Sequence, residues 1–283
     1  MDDTRAQVTD KPTLSGPISF LPERRESTPA NPSQPRDDSV SRWAQQMQRP
    51  PGNEVPERQF EWLRSTLAEI GALRLRRNNR PGHFRLAQPD DDIGSTRKAC
   101  AREYLAQRKA LQTSDPVRFH ALTHDARLQQ RLYASAVNTV YGAGGRAAYC
   151  EENAAIQHHR LLQHGMPASE IVPLSLAGQT RAGQPVLHNL LLVGPSTMPA
   201  DRHFNADDIR QHVHGQLSRC VLSDPWSENK LVGFAAGASW QEFVEQLCVI
   251  MCGVDSDFDP SSLALCETTP GCRPQPLIPT SHG

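Results

Sequence analysis

The stretch VLHNLLLVG at residues 186–194 is the middle one of three short apolar runs that decide the fold class. EIVPLSL at 170–176 precedes it, and RCVLSD at 219–224 follows it after a long polar segment. Short runs that are rich in branched aliphatic residues and bounded by turn-forming residues are typical of buried β-strands. The polar segment between the second and third runs predicts one short helix at most. The second half of the chain is therefore predicted to hold a small β-sheet.

Helical periodicity flanks these runs on both sides, with apolar residues recurring every three or four positions. Ser95 or Thr96 is predicted to cap the second helix, and Ser239 is predicted to cap the last one. A mostly helical first half followed by strands predicts an α+β fold with one large domain. The predicted helices lie in NEVPERQFEWLRSTLAEIGALRLRRNN (53–79), in STRKACAREYLAQRKALQ (95–112), from Ser114 to Gly142, from about Cys150 to Gln163, and in SWQEFVEQLCVIMCG (239–253).

The two ends of the chain differ from this middle part in composition. Residues 1–57 are dense in proline, serine and threonine and have almost no clustered aliphatic residues, so they cannot bury enough surface to offset the entropy of ordering. We predict a disordered leader over 1–57, a folded unit of helices and sheet over 58–254, and a loose tail over 255–283.

Charge and hydropathy exclude several classes of protein. Lys and Arg number 30 and Asp and Glu number 31, so no overall positive field favours nucleic acid as a partner. The longest apolar runs fall well short of the roughly 18 residues of a membrane span, and the N-terminus has no hydrophobic signal core. The seven cysteines are odd in number and unevenly spaced, which favours free thiols over a disulfide framework. We predict a soluble protein with no Sec signal peptide; its oligomeric state stays open.

Three residues form the candidate catalytic constellation: Cys150 at a predicted helix start, His188 inside an apolar strand, and Asp224 directly after the next strand. The positive end of a helix dipole favours a thiolate, and the free backbone N–H groups there can bind an oxyanion. An imidazole among leucines needs hydrogen-bond partners, which a thiol and a carboxylate would supply. Trp226 follows Asp224 closely and can shield the pair from water. The pattern predicts a nucleophile, a base and an orienting acid.

The segments GRAAYCEENA (145–154), LLQHG (161–165), VLHNLLLVG (186–194) and VLSDPW (221–226) together resemble papain-like and transglutaminase-like bacterial effector enzymes with a Cys-His-Asp triad. The resemblance covers roughly residues 135–235. It implies a papain-like core, in which the helix with the cysteine packs on a small antiparallel sheet. By resemblance Cys150 is the nucleophile, His188 the general base and acid, and Asp224 the orienting residue.

The function that this resemblance implies is hydrolysis or transfer at a host-protein amide through a thioester. Thiol proteases, glutamine deamidases and acyltransferases all belong to this group, and one triad serves all three reactions. The resemblance and the leader composition imply a virulence effector that a type III system secretes into a host cell. Neither a cofactor nor a metal is predicted, since the histidines lack the spacing of a zinc motif.

Several alternatives stay open at the level of sequence. Asp201 rivals Asp224 as the third member of the triad, and Asn138 is a distant candidate for the amide of an oxyanion hole. Cys150 can also be a small apolar residue packed in a core. In that case the chain is a non-enzymatic effector or adaptor that binds a host protein and carries an inert cysteine-hydrolase fold.

Overall fold

The computed structural model of the chain describes residues 50–73, 75, 93–145, 147–194, 206–226, 231–266 and 275–277. The helices within these residues are α1 (Glu57–Ala72), α2 (Ile93–Ser114), α3 (Pro116–Ala121), α4 (Ala126–Gly142), α5 (Cys150–Gln163), α6 (Ala206–Val213) and α7 (Trp240–Val254). The strands are β1 (Ile171–Gln179), β2 (Pro185–Val193), β3 (Val221–Ser223), β4 (Leu231–Gly233), β5 (Ala264–Cys266) and β6 (Gln275–Pro276).

The strands form one antiparallel sheet in the order β4-β3-β2-β1-β5-β6. β1 and β2 pair along their full length, from Ile171 opposite Val193 to Gln179 opposite Pro185. β3 pairs only with residues 191–193, the last three of β2. Within the described residues, the first part of β2 therefore has a partner strand on one side and an open edge on the other.

Helices cover both faces of the sheet. Leu190 and Leu192 of β2 belong to an apolar cluster that includes buried residues of α6 and α7. Leu191 and Val193 belong to a second cluster, with buried residues of α1 and α5. Because successive strand residues point to opposite faces, the apolar run of β2 fills two cores at once. Each fully buried leucine there contributes about 2 kcal/mol to folding.

A third apolar cluster braces the outer side of α5. Its buried members are Ile70 of α1, Cys100 of α2, Val137 and Tyr141 of α4, Ala148 just before α5 and Ile156 of α5. The helix that begins at Cys150 is thus held between the sheet and a helical layer. The α+β class predicted from the sequence is confirmed, and α5 has the predicted limits.

Two helix boundaries differ from the sequence prediction, and aspartate capping explains one of them. The helix predicted from Ser114 to Gly142 is two helices, because the Asp115 carboxylate accepts from the Arg118 N–H and the Asp125 carboxylate accepts from the Leu128 N–H. Each aspartate therefore starts its own helix. The second difference is that α2 begins at Ile93, before the predicted caps Ser95 and Thr96.

The predicted leader boundary at residue 57 is wrong. Residues 1–49 lie outside the described residues, but the segment from Pro50 onward packs on the fold. Val55 is fully buried, the Asn53 side-chain amide donates to the Phe234 carbonyl at 3.1 Å, and the Glu54 N–H donates to the Ser218 carbonyl at 2.6 Å. Segment and sheet lie so close that a Cβ on Gly233 would be 2.9 Å from the Asn53 amide nitrogen. The folded unit therefore begins no later than residue 50.

The predicted loose tail over 255–283 is also wrong in its described part. β5 and β6 extend the sheet beyond β1, and Phe258, Leu263 and Leu277 are buried in the apolar cluster on the α7 side. Strands of two or three residues embedded among turn-forming residues give no alternating pattern long enough to recognise. Part of the tail therefore belongs to the folded unit.

Two further observations concern membrane-spanning helices and the cysteines. None of the helices in the described part of the chain is long and apolar enough to cross a bilayer. The six described cysteines are free thiols, at positions 100, 150, 220, 248, 252 and 266.

Candidate functional site

Cys150 is the first residue of α5, and a tight turn precedes it. Gly144 has a φ of 112°, which only glycine adopts without strain. The Tyr149 N–H donates to the Glu152 carboxylate at 2.8 Å, which fixes the first turn of the helix. The N–H groups of this turn have no acceptor within the helix, so they are available beside the thiol. The cysteine itself is 6% exposed.

His188 and Asp224, which are far apart in sequence, form a buried pair. The His188 Nε2 atom lies 2.7 Å from Asp224 Oδ2, and each residue is 1% exposed. The other carboxylate oxygen accepts from the Trp226 N–H at 3.0 Å. The Trp226 ring lies edge-on to the imidazole at a centroid distance of 5.4 Å. The carboxylate is therefore held at both oxygens, and the indole packs against the ring that it orients.

The Asp224 carboxylate keeps the His188 ring charged. Burial by itself lowers the pKa of His188, but the charge of Asp224 and their hydrogen bond oppose it and, with a smaller contribution from Cys150, raise the pKa from 6.5 to about 10. The ring is consequently an imidazolium at neutral pH. The charged ring interacts with Cys150 and carries a proton that it can donate.

A third polar side chain, Asn189, reaches Cys150 from the same strand. The Asn189 Nδ2 atom donates to the Cys150 sulfur at 3.7 Å, and the Ser175 hydroxyl donates to Asn189 Oδ1 at 2.7 Å. By strand alternation Asn189 shares its face of β2 with Leu191 and Val193, which pack against α5. The His188 ring on the same strand also interacts with the Cys150 sulfur. The sequence signal for Asn189 is slight: it is a second polar residue in an apolar run.

Gln157 joins the helix of the thiol to the strand that leads to the carboxylate. Its side-chain amide donates to the Ser223 hydroxyl at 2.7 Å and more weakly to the Thr66 hydroxyl at 3.4 Å, and all three residues are buried. Ser223 directly precedes Asp224. Sequence reasoning missed this link because it depends on how α5 lies across β3.

An ionic cluster holds the start of α5 from the outside. The Arg97 guanidinium of α2 lies 2.6 Å from the buried Glu152 carboxylate and 3.3 Å from Glu151. The Tyr133 hydroxyl also donates to Glu151, at 3.1 Å. Burial alone lowers the pKa of Arg97, but the two glutamates outweigh it and raise that pKa further. These acids anchor the helix to α2 and α4 and are not part of the Cys150, His188 and Asp224 group.

The remaining sequence candidates lie elsewhere or outside the described residues. Asn138 Oδ1 accepts from the Arg160 guanidinium at 3.2 Å, which places Asn138 in a different contact from the thiol. Asp201 lies outside the described residues. His164 pairs with Glu69 at 3.0 Å. In the described ranges, no group of three or more His, Cys, Asp or Glu side chains has the arrangement of a metal site.

One cavity of about 510 Å³ opens between α2, α3, α4 and α5. Arg118, Arg131 and His159 line it, together with leucines and small polar residues. None of Cys150, His188 and Asp224 contributes to this lining. The cavity is therefore separate from the candidate catalytic group.

Comparisons with protein-family models, with curated proteins and with solved structures find no match to this chain. The chemistry of the site must therefore be inferred from its own geometry. A thiol at a helix N-terminus, an imidazolium held by a carboxylate and a side-chain amide on the sulfur are the components of nucleophilic acyl chemistry. Such a site can form a thioester with an acyl group, donate a proton to the leaving group and take one from the attacking water.

Proposed function

We propose that the chain is a cysteine-dependent enzyme that cleaves or transfers amide groups, with Cys150 as nucleophile, His188 as general acid and base, and Asp224 as the orienting residue. The observation that supports this most strongly is the 2.7 Å contact between buried His188 and Asp224 beside a thiol at the start of α5. A buried histidine and carboxylate arranged in this way orient the imidazole and keep it protonated.

The reaction begins when the Cys150 thiolate attacks the carbonyl carbon of an amide and forms a C–S bond. The carbonyl oxygen becomes an oxyanion, and His188 donates its proton to the leaving nitrogen as the C–N bond breaks. Ammonia or an amine departs and a thioester remains. His188, now neutral, takes a proton from water, which attacks the thioester and releases the carboxylic acid and the thiolate.

The substrate that we propose is a host-protein amide, as in the papain-like effector enzymes that the sequence resembles. Cys150 is 6% exposed and His188 1% exposed, so a slender group reaches the sulfur more easily than a folded main chain does. The carboxamide at the end of a glutamine side chain has this shape. Glutamine deamidation is therefore favoured over proteolysis and acyl transfer. We further propose type III secretion into the host cell as the route of delivery.

Mass spectrometry of candidate host proteins tests the reaction directly. Host lysate treated with the wild-type protein should show glutamines that gain about one dalton, because an amide becomes an acid, and the Cys150→Ala protein should produce none. Peptides cut at the main chain would identify a protease instead, and acylated amines would identify a transferase. Identical spectra for the two proteins would contradict an enzymatic role in that lysate.

The second candidate is a non-enzymatic adaptor that binds a host protein, which the low exposure of Cys150 favours. Alkylation by iodoacetamide at neutral pH separates the two candidates. Cys252 is exposed and serves as an internal reference, while burial raises the pKa of the Cys100 and Cys220 thiols to about 12 and makes them unreactive. An enzyme should alkylate at Cys150 faster than at Cys252. An adaptor should alkylate at Cys252 first.

A further inference from the structure

We propose that Asn189 is a further catalytic residue, whose side-chain amide binds the Cys150 sulfur in the resting enzyme and the oxyanion of the tetrahedral intermediate. This inference rests on the amide-cleaving function proposed above. It concerns a second side-chain donor beside the reacting sulfur, in addition to the His188 ring.

The first support is the orientation of the amide. Ser175 lies directly opposite Asn189 in the pairing of β1 with β2, and its hydroxyl donates to Asn189 Oδ1 at 2.7 Å. With the oxygen end held by a donor, the NH₂ end of the same planar group points the other way. It lies 3.7 Å from the Cys150 sulfur, within the range of an N–H···S hydrogen bond. The donor is therefore aimed before substrate arrives.

The second support is the position of Asn189 in the sheet. β3 pairs only with residues 191–193, so Asn189 sits on the stretch of β2 that has an open edge among the described strands. The residues that follow it in β2, from Leu190 to Val193, are buried and apolar. Asparagine is depleted in strands, and a half-buried amide here contributes less to folding than an aliphatic residue would. The contact of Asn189 with the Cys150 thiol accounts for a polar residue at this position of the strand.

The third support is the geometry of the reaction. When the sulfur bonds to the carbonyl carbon, the oxyanion forms one bond further out, next to the atom that Asn189 already contacts. The N–H that pointed at sulfur can then donate to this oxygen, at the positive end of the α5 dipole. The negative charge passes from sulfur to oxygen, and the same amide donates to it in both states.

The test uses Asn189→Ala and Asn189→Asp in the full chain, because alanine removes the amide and aspartate replaces its donor with an acceptor. Both should slow iodoacetamide alkylation of Cys150 about tenfold, as expected for the loss of a hydrogen bond to a charged group. With a substrate in hand, kcat should fall about 100-fold with KM nearly unchanged, which is the usual effect of removing one oxyanion donor.

Two controls make this test specific. Ser175→Ala keeps the amide but frees its oxygen end, so it should give a smaller loss in the same two measurements. Asn138→Ala removes an amide that contacts Arg160 instead of the thiol, and both rates should stay at the wild-type value. The buried thiols of Cys100 and Cys220 should stay unreactive in all variants, which verifies that the fold is intact.

The possible outcomes separate this inference from the proposed function. Reactive Cys150 in the wild type with unchanged alkylation and kcat in Asn189→Ala would overturn the role of Asn189 and leave the enzyme proposal standing. An effect confined to KM would overturn the oxyanion role, because such a residue would only bind substrate. A wild-type Cys150 that reacts no faster than exposed Cys252 would overturn the enzyme proposal itself.

Discussion

The two ends of β2 have opposite characters, although they belong to one unbroken strand. Residues 191–193 are apolar, fully buried between two helical layers and paired with a strand on either side within the described sheet. Residues 187–189 contain exposed Leu187 and the polar pair His188 and Asn189, and β1 is their one described partner strand. The paired end holds the fold together, and the open end carries the groups that reach Cys150.

This difference shows how the fold makes room for chemistry without losing its core. A fully paired strand uses both faces for packing, so a polar side chain there would need a buried partner. Toward the start of β2, the consecutive side chains His188 and Asn189 both interact with the sulfur at the start of α5. Departures from the apolar pattern of a strand are therefore candidates for functional residues.

The largest expected effect is the loss of activity in Cys150→Ala. Substrate turnover should fall at least about 10,000-fold, because the members of a triad act as a unit. The free energy of unfolding should change little, since the substitution removes one small group at the end of a helix. Single-turnover mass spectrometry and urea unfolding measure the two quantities. A variant that keeps its activity would mean that the open end of β2 is not the site.

The second expected effect concerns the charge that keeps His188 protonated. Asp224→Asn preserves shape but removes the charge, so burial should lower the pKa of His188 and turnover should fall about 1,000-fold or more. Stability provides an independent measurement. The pKa of His188 is about 10 in the folded protein, against 6.5 for an unperturbed histidine such as that of the unfolded chain. The charged His188–Asp224 pair therefore stabilises the fold fully below pH 6.5, and this stabilisation is lost as the pH rises through 10.

Urea unfolding between pH 8 and 10.5 should therefore show a loss of stability in the wild type that Asp224→Asn lacks. Other groups also titrate in this range, so the result is the difference in stability loss between the wild type and Asp224→Asn. Equal alkaline losses in both would contradict a charged His188–Asp224 pair.

The third expected effect compares two leucines of β2 directly. Leu191 is fully buried at the paired end, and Leu187 is 52% exposed at the open end. Leu191→Ala should lower the free energy of unfolding by about 3 kcal/mol, the usual cost of such a cavity. Leu187→Ala should change it by less than about 0.5 kcal/mol. Equal costs in urea unfolding would mean that the two ends do not differ in packing.

The sequence predicted those parts of the fold that a local pattern specifies. The limits of α5, the cap at Ser239 and the apolar cores of β1, β2 and β3 follow from periodicity, capping residues and run length. The contact of His188 with Asp224 was predicted from their strand contexts. In the structure, His188 Nε2 and Asp224 Oδ2 lie at hydrogen-bond distance. The helix limits, the cap and the strand cores depend on a few neighbouring residues, whereas the contact of His188 with Asp224 joins two separate strand contexts.

The features that the sequence did not predict depend on the whole fold. β4, β5 and β6 are two or three residues long and form strands only through pairing with a neighbour in the sheet. Asn189 becomes a partner of Cys150 only because α5 packs on its face of β2, and Gln157 meets Ser223 only because the same helix lies against the sheet. No periodicity within a single segment encodes such relations.

The smallest expected effect concerns the segment before α1, which packs near the paired side of the sheet. Deletion of residues 1–57 removes fully buried Val55 and the contacts of Asn53 and Glu54, so it should lower the free energy of unfolding by about 2 kcal/mol or more. Deletion of residues 1–49 keeps all these contacts, and its urea unfolding curve should match that of the full chain. Val55→Ala in the full chain should reproduce part of the first loss. Equal stability of the two truncated proteins would show that the segment contributes nothing and that the boundary at 57 was correct.

If type III delivery is the route, the 1–49 deletion should still turn over substrate as a purified protein while losing transfer into host cells. Delivery needs the leader, and the chemistry at the open end of β2 does not.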